Sequence, residues 1–149
     1  MKSLMLVIAL IYSVSASPQE IDFYNKDWQD VRSPIVKINF LGKERLFMID
    51  SGSGISILDS SLKILDDFIM CSNNTSVYTI NGNVVEKNSM MYKVKIFDKN
   101  VVFFTKDLSY INQVFSDSGI KISGILGADW LLARRVTMDY CNRKIIIGR

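Results

Sequence analysis

The chain has 149 residues, of which 48% are hydrophobic and 22% charged, and its formal net charge is +3. This length allows one domain with a buried core, and so small a net charge does not indicate a nucleic acid partner. The absence of histidine excludes Ser-His-Asp and Cys-His catalysis and zinc sites of the H-E-x-x-H kind. A pair of carboxylates that activates water needs no imidazole.

The N-terminal segment has the pattern of a secretory signal peptide. Lys2 precedes an apolar run over 4–12, and small residues end the segment at Ala16. This predicts a signal peptide over 1–16, with an uncleaved anchor as the alternative. We expect an exported protein, periplasmic or secreted, with no stable membrane span after cleavage, because the run is short for a bilayer. Loss of Lys2 leaves 17 basic and 15 acidic residues, a net charge of +2.

A polar lead-in over 17–33 precedes the predicted domain, which covers 34–149. The lead-in carries scattered aromatic residues and predicts irregular structure. Alternating apolar residues then predict strands over 34–40 and 45–49, joined by a turn over 41–44.

Asp50 ends this second strand and is followed by Ser51, Gly52 and Ser53. A carboxylate in a largely dry turn is costly unless something uses or satisfies it. Asp50 is therefore the first catalytic candidate, and the alternative is a turn aspartate that caps its own backbone. The Ser51 hydroxyl can form hydrogen bonds, and Gly52 lets backbone amides approach the carboxylate.

The rest of the chain predicts short strands and hairpins. A strand over 55–58 is followed by one helical turn over 60–65, and Asn81-Gly82-Asn83 is a strong hairpin signal between strands over 77–80 and 84–86. The remaining predictions are a hairpin of 91–97 and 101–105 around Asp98-Lys99-Asn100, a strand over 122–126, a helix over 128–133, and a hairpin of 136–140 with 144–147. Such spacing indicates a small barrel or sandwich.

Cys71 and Cys141 are the two cysteines. Export would place them where disulfides form, so they are either bridged or two buried free thiols. Catalysis by either thiol is not expected without a histidine partner.

In this order of elements, the chain resembles the retropepsin-like aspartic proteases, and in particular their single-domain exported bacterial members. Two motifs carry the resemblance: the apolar strand that ends in Asp50-Ser51-Gly52-Ser53, and Ile125-Leu126-Gly127, which is followed by a helix. The resemblance implies an all-β fold, a small closed β-barrel with a flap hairpin and one short C-terminal helix. It also implies an aspartic endopeptidase that acts on peptides or proteins without a metal or other cofactor.

Gly127 leaves room for a closely packed chain beneath the catalytic loop. The alternative is a helix entrance with Asp129 in its first turn. The hairpin with Tyr78, Asn81, Gly82 and Asn83 is either the flap over a bound peptide or an ordinary surface hairpin.

Asp117-Ser118-Gly119 repeats the tripeptide 67 residues after Asp50. This interval is too short for a second lobe, and Ser116 stands where Ile49 precedes the first motif, so Asp117 is predicted to be a loop residue. Asp50 then needs a second carboxylate with which to share a proton. We therefore expect a twofold homodimer in which Asp50 meets its symmetry mate, with 144–147 as the best candidate for an interface strand.

The leading alternative function is a catalytically inactive, secreted binding module that kept the protease fold. A phosphate loop at 52–56 is disfavoured, because the third glycine and a long following helix are missing.

Overall fold

In a computed structural model of the chain, the described residues are 18–25, 27–28, 33–62, 69–71, 77–78, 84–86 and 91–148. For 69–71, 77–78 and 84–86 this covers the backbone alone. The predicted signal peptide over 1–16 lies outside the described residues. None of the helices in the described part of the chain is both long and apolar enough to cross a membrane.

The described elements are short strands and two short helices. The strands are β1 (Gln19–Asp22), β2 (Ile35–Phe40), β3 (Lys43–Ile49), β4 (Ser56–Asp59), β5 (Ile69–Cys71), β6 (Val77–Tyr78), β7 (Val84–Glu86), β8 (Met91–Ile96), β9 (Lys99–Lys106), β10 (Ile122–Leu126), β11 (Thr137–Asp139) and β12 (Lys144–Ile147). The helices are α1 (Ser109–Val114) and α2 (Ala128–Ala133), with a 3-10 turn at Ser116–Ser118 after α1. The predicted all-β class and the helix near the C-terminus are confirmed.

Seven strands form the main sheet, in the order β2-β3-β10-β4-β9-β8-β5. The sheet curls, so the predicted barrel takes the form of a half-barrel. β10 lies between β3 and β4, parallel to the first and antiparallel to the second. A strand from late in the chain therefore separates two strands that are consecutive in sequence, and this insertion supports the loop that carries Asp50.

The two faces of this sheet are covered by different apolar clusters. The main core contains Phe47, Phe103 and Trp130, each at most 1% exposed. The second cluster lies around Ile122 and Ile125. Burial of a large apolar side chain contributes about 1.5–3 kcal/mol, so both clusters hold β10 firmly in the sheet.

The predicted irregular lead-in is wrong in part, because Gln19–Asp22 forms β1 and Phe23 is 1% exposed. β1 pairs with β12, which also pairs with β11. Both edges of Lys144–Ile147 are thus occupied within the chain, so the prediction that this strand forms the dimer interface by strand pairing is wrong. β1 has the sequence Gln-Glu-Ile-Asp, with Ile21 as its one apolar residue, so no alternating apolar pattern marked it as a strand.

The turn between β8 and β9 differs from the prediction of Asp98-Lys99-Asn100. Ile96 pairs with Lys99, so the loop is Phe97-Asp98, with φ values of 46° and 65°. Positive φ at both central residues matches the twist of a two-residue hairpin. The conformational free energy cost of a positive φ at Phe97 is offset by the packing of its ring against Trp130, with ring centroids 6.4 Å apart.

Candidate active site

Asp50 stands directly after β3 in a turn tied to the neighbouring strand. Its backbone N–H donates to Leu126 O at 3.1 Å, and its carbonyl accepts from Ser53 N at 3.1 Å. Gly52 N–H donates to the Asp50 Oδ1 atom at 2.9 Å. The predicted approach of a backbone amide to the carboxylate is confirmed, and the alternative also holds, because this bond lets Asp50 cap its own turn two residues further on.

The surroundings of Asp50 are less dry than the sequence suggested. Within one chain Asp50 is half-buried, while Ser51 and Gly52 are exposed. A Cβ atom on Gly52 would lie 3.2 Å from Asp50 Oδ1, which is closer than ordinary contact. A side chain at position 52 would therefore crowd the carboxylate, which in its half-buried state is open to a further partner.

Ser53 anchors the turn from its far end. The Ser53 hydroxyl donates to Ile55 O at 2.7 Å, and Ser53 O accepts from Ala128 N at 2.7 Å. The second bond joins the loop to the first residue of α2. The structure thus brings the predicted support residue into contact with the second motif.

Gly127 lies where the loop and α2 cross. A Cβ atom there would be 2.4 Å from Ile55 O and 2.8 Å from Ser53 O. The predicted close packing at Gly127 is confirmed, and the alternative also holds, because Gly127 is the N-cap of α2 and Asp129 lies in its first turn. Leu126, one residue earlier, pairs with Ile49 in the parallel ladder, and Ile125 pairs with Met48. The two motifs are therefore adjacent in space.

Asp129 and Ser56 form a support that sequence reasoning missed. The Asp129 carboxylate accepts from Ser56 N at 3.0 Å, from the Ser56 hydroxyl at 2.7 Å and from Trp130 N at 2.7 Å. The hydroxyl of Ser56, which is fully buried, accepts from Gly127 N at 3.1 Å. The sequence does contain a signal for this support, because Ser56 stands in the apolar run 55–58 and a buried hydroxyl requires a hydrogen-bond partner.

The predicted flap is described only in its backbone strands. Val77 pairs with Glu86 and Tyr78 with Val84, so β6 and β7 are antiparallel neighbours as predicted for a hairpin. Asn81, Gly82 and Asn83, at the predicted tip, lie outside the described residues, as does the Tyr78 side chain.

The second Asp-Ser-Gly tripeptide does not follow a strand, unlike the first. Asp117 is exposed in the 3-10 turn, and Gly119 ends that turn with φ of 65°. The prediction of a loop residue is confirmed. Among the described residues no group of three Cys, Asp or Glu side chains is placed to hold a metal ion.

The two cysteines lie in β5 and in the last hairpin. Cys141 is an exposed free thiol, so the alternative of a buried thiol does not hold there. The Cys71 side chain is outside the described part of the chain.

Comparison with solved structures identifies the fold. The chain is similar to a retropepsin-like aspartic protease from Rickettsia conorii, with a TM-score of 0.51 and 16% identity over 87% of this chain and 90% of that one. It also matches the retroviral protease-like domain of Ddi1 from Leishmania major, with a TM-score of 0.38 and 13% identity over 77% of this chain and 92% of the other. No protein-family model and no curated protein matches the sequence.

The fold is that of the retropepsin-like aspartic proteases. A sequence identity of 16% supports a shared fold and nothing further, because a shared fold does not by itself establish a shared activity.

Proposed function

We propose that this chain is an aspartic-type endopeptidase that hydrolyses peptide bonds as a homodimer. Water is activated between Asp50 and its symmetry mate, one carboxyl group being protonated while the other is ionised. The observation that carries the proposal is the position of the Asp50 carboxylate, which accepts a hydrogen bond from Gly52 N–H at 2.9 Å. Its loop is fixed by the bond from Ala128 N to Ser53 O and by the close packing of Gly127 against the loop backbone. Preorganisation of this kind is what general acid–base catalysis requires.

Two carboxylates of the described residues, Asp129 and Asp59, are already held within the chain, which supports a second chain as the source of the partner for Asp50. Asp129 accepts three hydrogen bonds from Ser56 and Trp130. Asp59 is 4% exposed and accepts from Ser61 and Asn112. Both groups are committed to structural contacts, so the proposal takes the second carboxylate from a symmetry mate, to which the half-buried Asp50 is accessible.

Two further proposals accompany this function. The β6–β7 hairpin with Tyr78, Asn81, Gly82 and Asn83 closes over the bound peptide, so deletion of its tip should reduce turnover far more than stability. The protein is exported after cleavage of 1–16, which N-terminal sequencing of the mature protein would test.

Linked dimers test the shared carboxylates directly. Two copies of the protein would be joined in one chain, in three versions that carry the Asp50→Asn substitution in neither copy, in one copy or in both. Cleavage of a peptide library by each version would be followed from acidic to neutral pH. We expect one substitution to reduce cleavage roughly 10²–10⁴-fold, the range for general acid–base catalysis. Asp117→Asn, in the exposed tripeptide, is the matched control.

A transition-state-mimicking aspartic protease inhibitor should block the unsubstituted dimer. Undiminished cleavage by the doubly substituted dimer would refute the proposal. Peptide binding without cleavage by a strict monomer would instead support a secreted binding module with the protease fold.

A further inference from the structure

A cavity of about 300 Å³ lies between α2 and the first residues of β9. β4 begins at Ser56, which pairs with Phe103, so residues 99–102 of β9 lie beyond the end of β4. On one side these residues pair with β8. On the other side the residues of α2 and Arg134, which follows it, face them across the cavity. The cavity is therefore the space left where the helix replaces a neighbouring strand.

The inner wall of this cavity is apolar and already in place. Val101 and Trp130 both belong to the main core, at 6% and 1% exposure. The Phe97 ring packs against the Trp130 ring, which holds the indole without a ligand. A cavity of about 150 Å³ accommodates benzene, whereas sites for whole small molecules start at about 300 Å³. The volume here fits one ring with a short polar group.

Two nitrogen atoms of residues in this wall lack hydrogen-bond partners. The Trp130 Nε1 and Arg134 Nε atoms are buried, and neither has an acceptor among the described residues. The indole nitrogen is a donor only, and buried polar groups of native proteins are nearly always hydrogen-bonded. Because both residues line the cavity, a ligand oxygen that enters it is an available acceptor for the missing bonds.

The charges around the cavity favour an anion. Lys99 and Arg134 line it, and within the described part of the chain neither forms an ion pair. Asp129 lines it as well, but its carboxylate already accepts three hydrogen bonds. The nearby Asp98 lies 3.7 Å from Lys95, which offsets its charge. Two unpaired cations thus outweigh one committed carboxylate, so the site attracts an acidic ligand.

We propose that this cavity is a binding site for a small organic acid. The apolar group of the acid lies against Val101 and Trp130, and its anionic oxygen atoms accept from Arg134, Lys99 and the indole N–H. Guanidinium groups bind carboxylates in this way, through charge-assisted hydrogen bonds. A neutral ligand would leave the two cations without a counter-charge. Asp50 does not line the cavity, so the site does not depend on the proposed peptidase activity.

The test is a titration of the full-length protein with 3-phenylpropionate, followed by NMR of the tryptophan indole N–H groups. The chain has two tryptophans, so Trp28→Phe assigns the signal of Trp130. We expect this signal to shift and saturate with a Kd of about 1 mM or tighter, as for other ligands of this size. The neutral 3-phenylpropionamide and propionate, which lacks the ring, should each bind at least about tenfold weaker.

Two variants probe the charge and the space separately. Arg134→Gln keeps the stem and removes the charge, so binding of the acid should weaken at least about tenfold. Ala133→Leu fills the cavity from an exposed position of α2 with a good helix former, so the fold is kept and binding is lost. Arg135→Gln, exposed and outside the cavity lining, is the matched control and should bind like the wild type.

Urea midpoints would show that each variant is folded. The proposal is overturned if the Trp130 signal does not move, if the amide binds as tightly as the acid, or if Arg134→Gln and Ala133→Leu bind like the wild type. Equal losses in Arg134→Gln and Arg135→Gln would also overturn it, since they would indicate general attraction to a basic surface. The Asp50→Asn variant should bind the acid with unchanged affinity, so failure of the peptidase proposal would leave this site intact.

Discussion

Gly127→Ala is the substitution for which the structure predicts the sharpest effect. A Cβ atom at this position would lie 2.4 Å from Ile55 O, 2.6 Å from Ile55 C and 2.8 Å from Ser53 O. All three atoms are backbone, so no side chain can rotate away. The Gly127 φ of −90° is open to alanine, and the cost is therefore steric and not conformational.

The magnitude combines two effects. Overpacking in a well-packed region costs about 1–3 kcal/mol. The shift also disturbs the bonds from Gly127 N to Ser56 Oγ and from Ala128 N to Ser53 O, each with a net contribution of about 0.5–1.5 kcal/mol. We expect the free energy of unfolding to fall by about 3 kcal/mol.

Urea unfolding measures this loss against Gly54→Ala. Gly54 lies in the same loop, and an added Cβ would meet nothing within 4 Å, so that variant should stay within about 0.5 kcal/mol of wild type. For a domain of this size, a 3 kcal/mol loss lowers the urea midpoint by about 1–3 M at an unchanged m value. A Gly127→Ala protein as stable as Gly54→Ala would refute the crossing of the loop and α2.

Two further outcomes follow from the carboxylates. Asp129→Asn replaces a carboxylate that accepts from three donors of Ser56 and Trp130. We expect the free energy of unfolding to fall by about 1–3 kcal/mol. An unchanged urea midpoint would contradict the support role of Asp129. Asn142 donates to Asp139 through its side chain and its backbone N–H, and these bonds lower the Asp139 pKa. These bonds stabilise the folded protein at pH values above the ordinary aspartate pKa, and this stabilisation is lost as the pH falls through the lowered pKa of Asp139. Carboxyl NMR should show Asn142→Ala raising the Asp139 pKa, and an unmoved titration would reject this cause.

Short apolar segments that are bounded by a glycine or a turn were predictable from sequence. β10 and β12 have their predicted bounds, and so does α2, because each has a clear apolar pattern and a glycine or a turn at its end. The glycine at 127 was predicted to be a place of close packing, and the chain does approach there within 3 Å of a Cβ position. These are local properties of the backbone and its hydrogen bonds.

Long-range contacts account for what sequence patterns missed. β1 is formed by a polar segment because β12 offers it an edge. The turn at Phe97 takes a positive φ because Trp130 packs against the ring. The start of α1 does have a local signal, because the Asp107 carboxylate accepts from the N–H of Ser109 at 2.8 Å, but the helix is held in place by the hydrogen bonds of the Asn112 side chain to Ile122.

The sequence by itself determined that a carboxylate ends an apolar strand, that no imidazole is present to assist it, and that the second motif ends in a glycine where the chain packs closely. Each of these depends only on residue type and neighbours along the chain. The tertiary structure decided that β10 enters between β3 and β4 and that Asp129 and Ser56 hold the crossing of the Asp50 loop and α2. These arrangements join residues more than 50 positions apart, and such contacts depend on how whole faces pack.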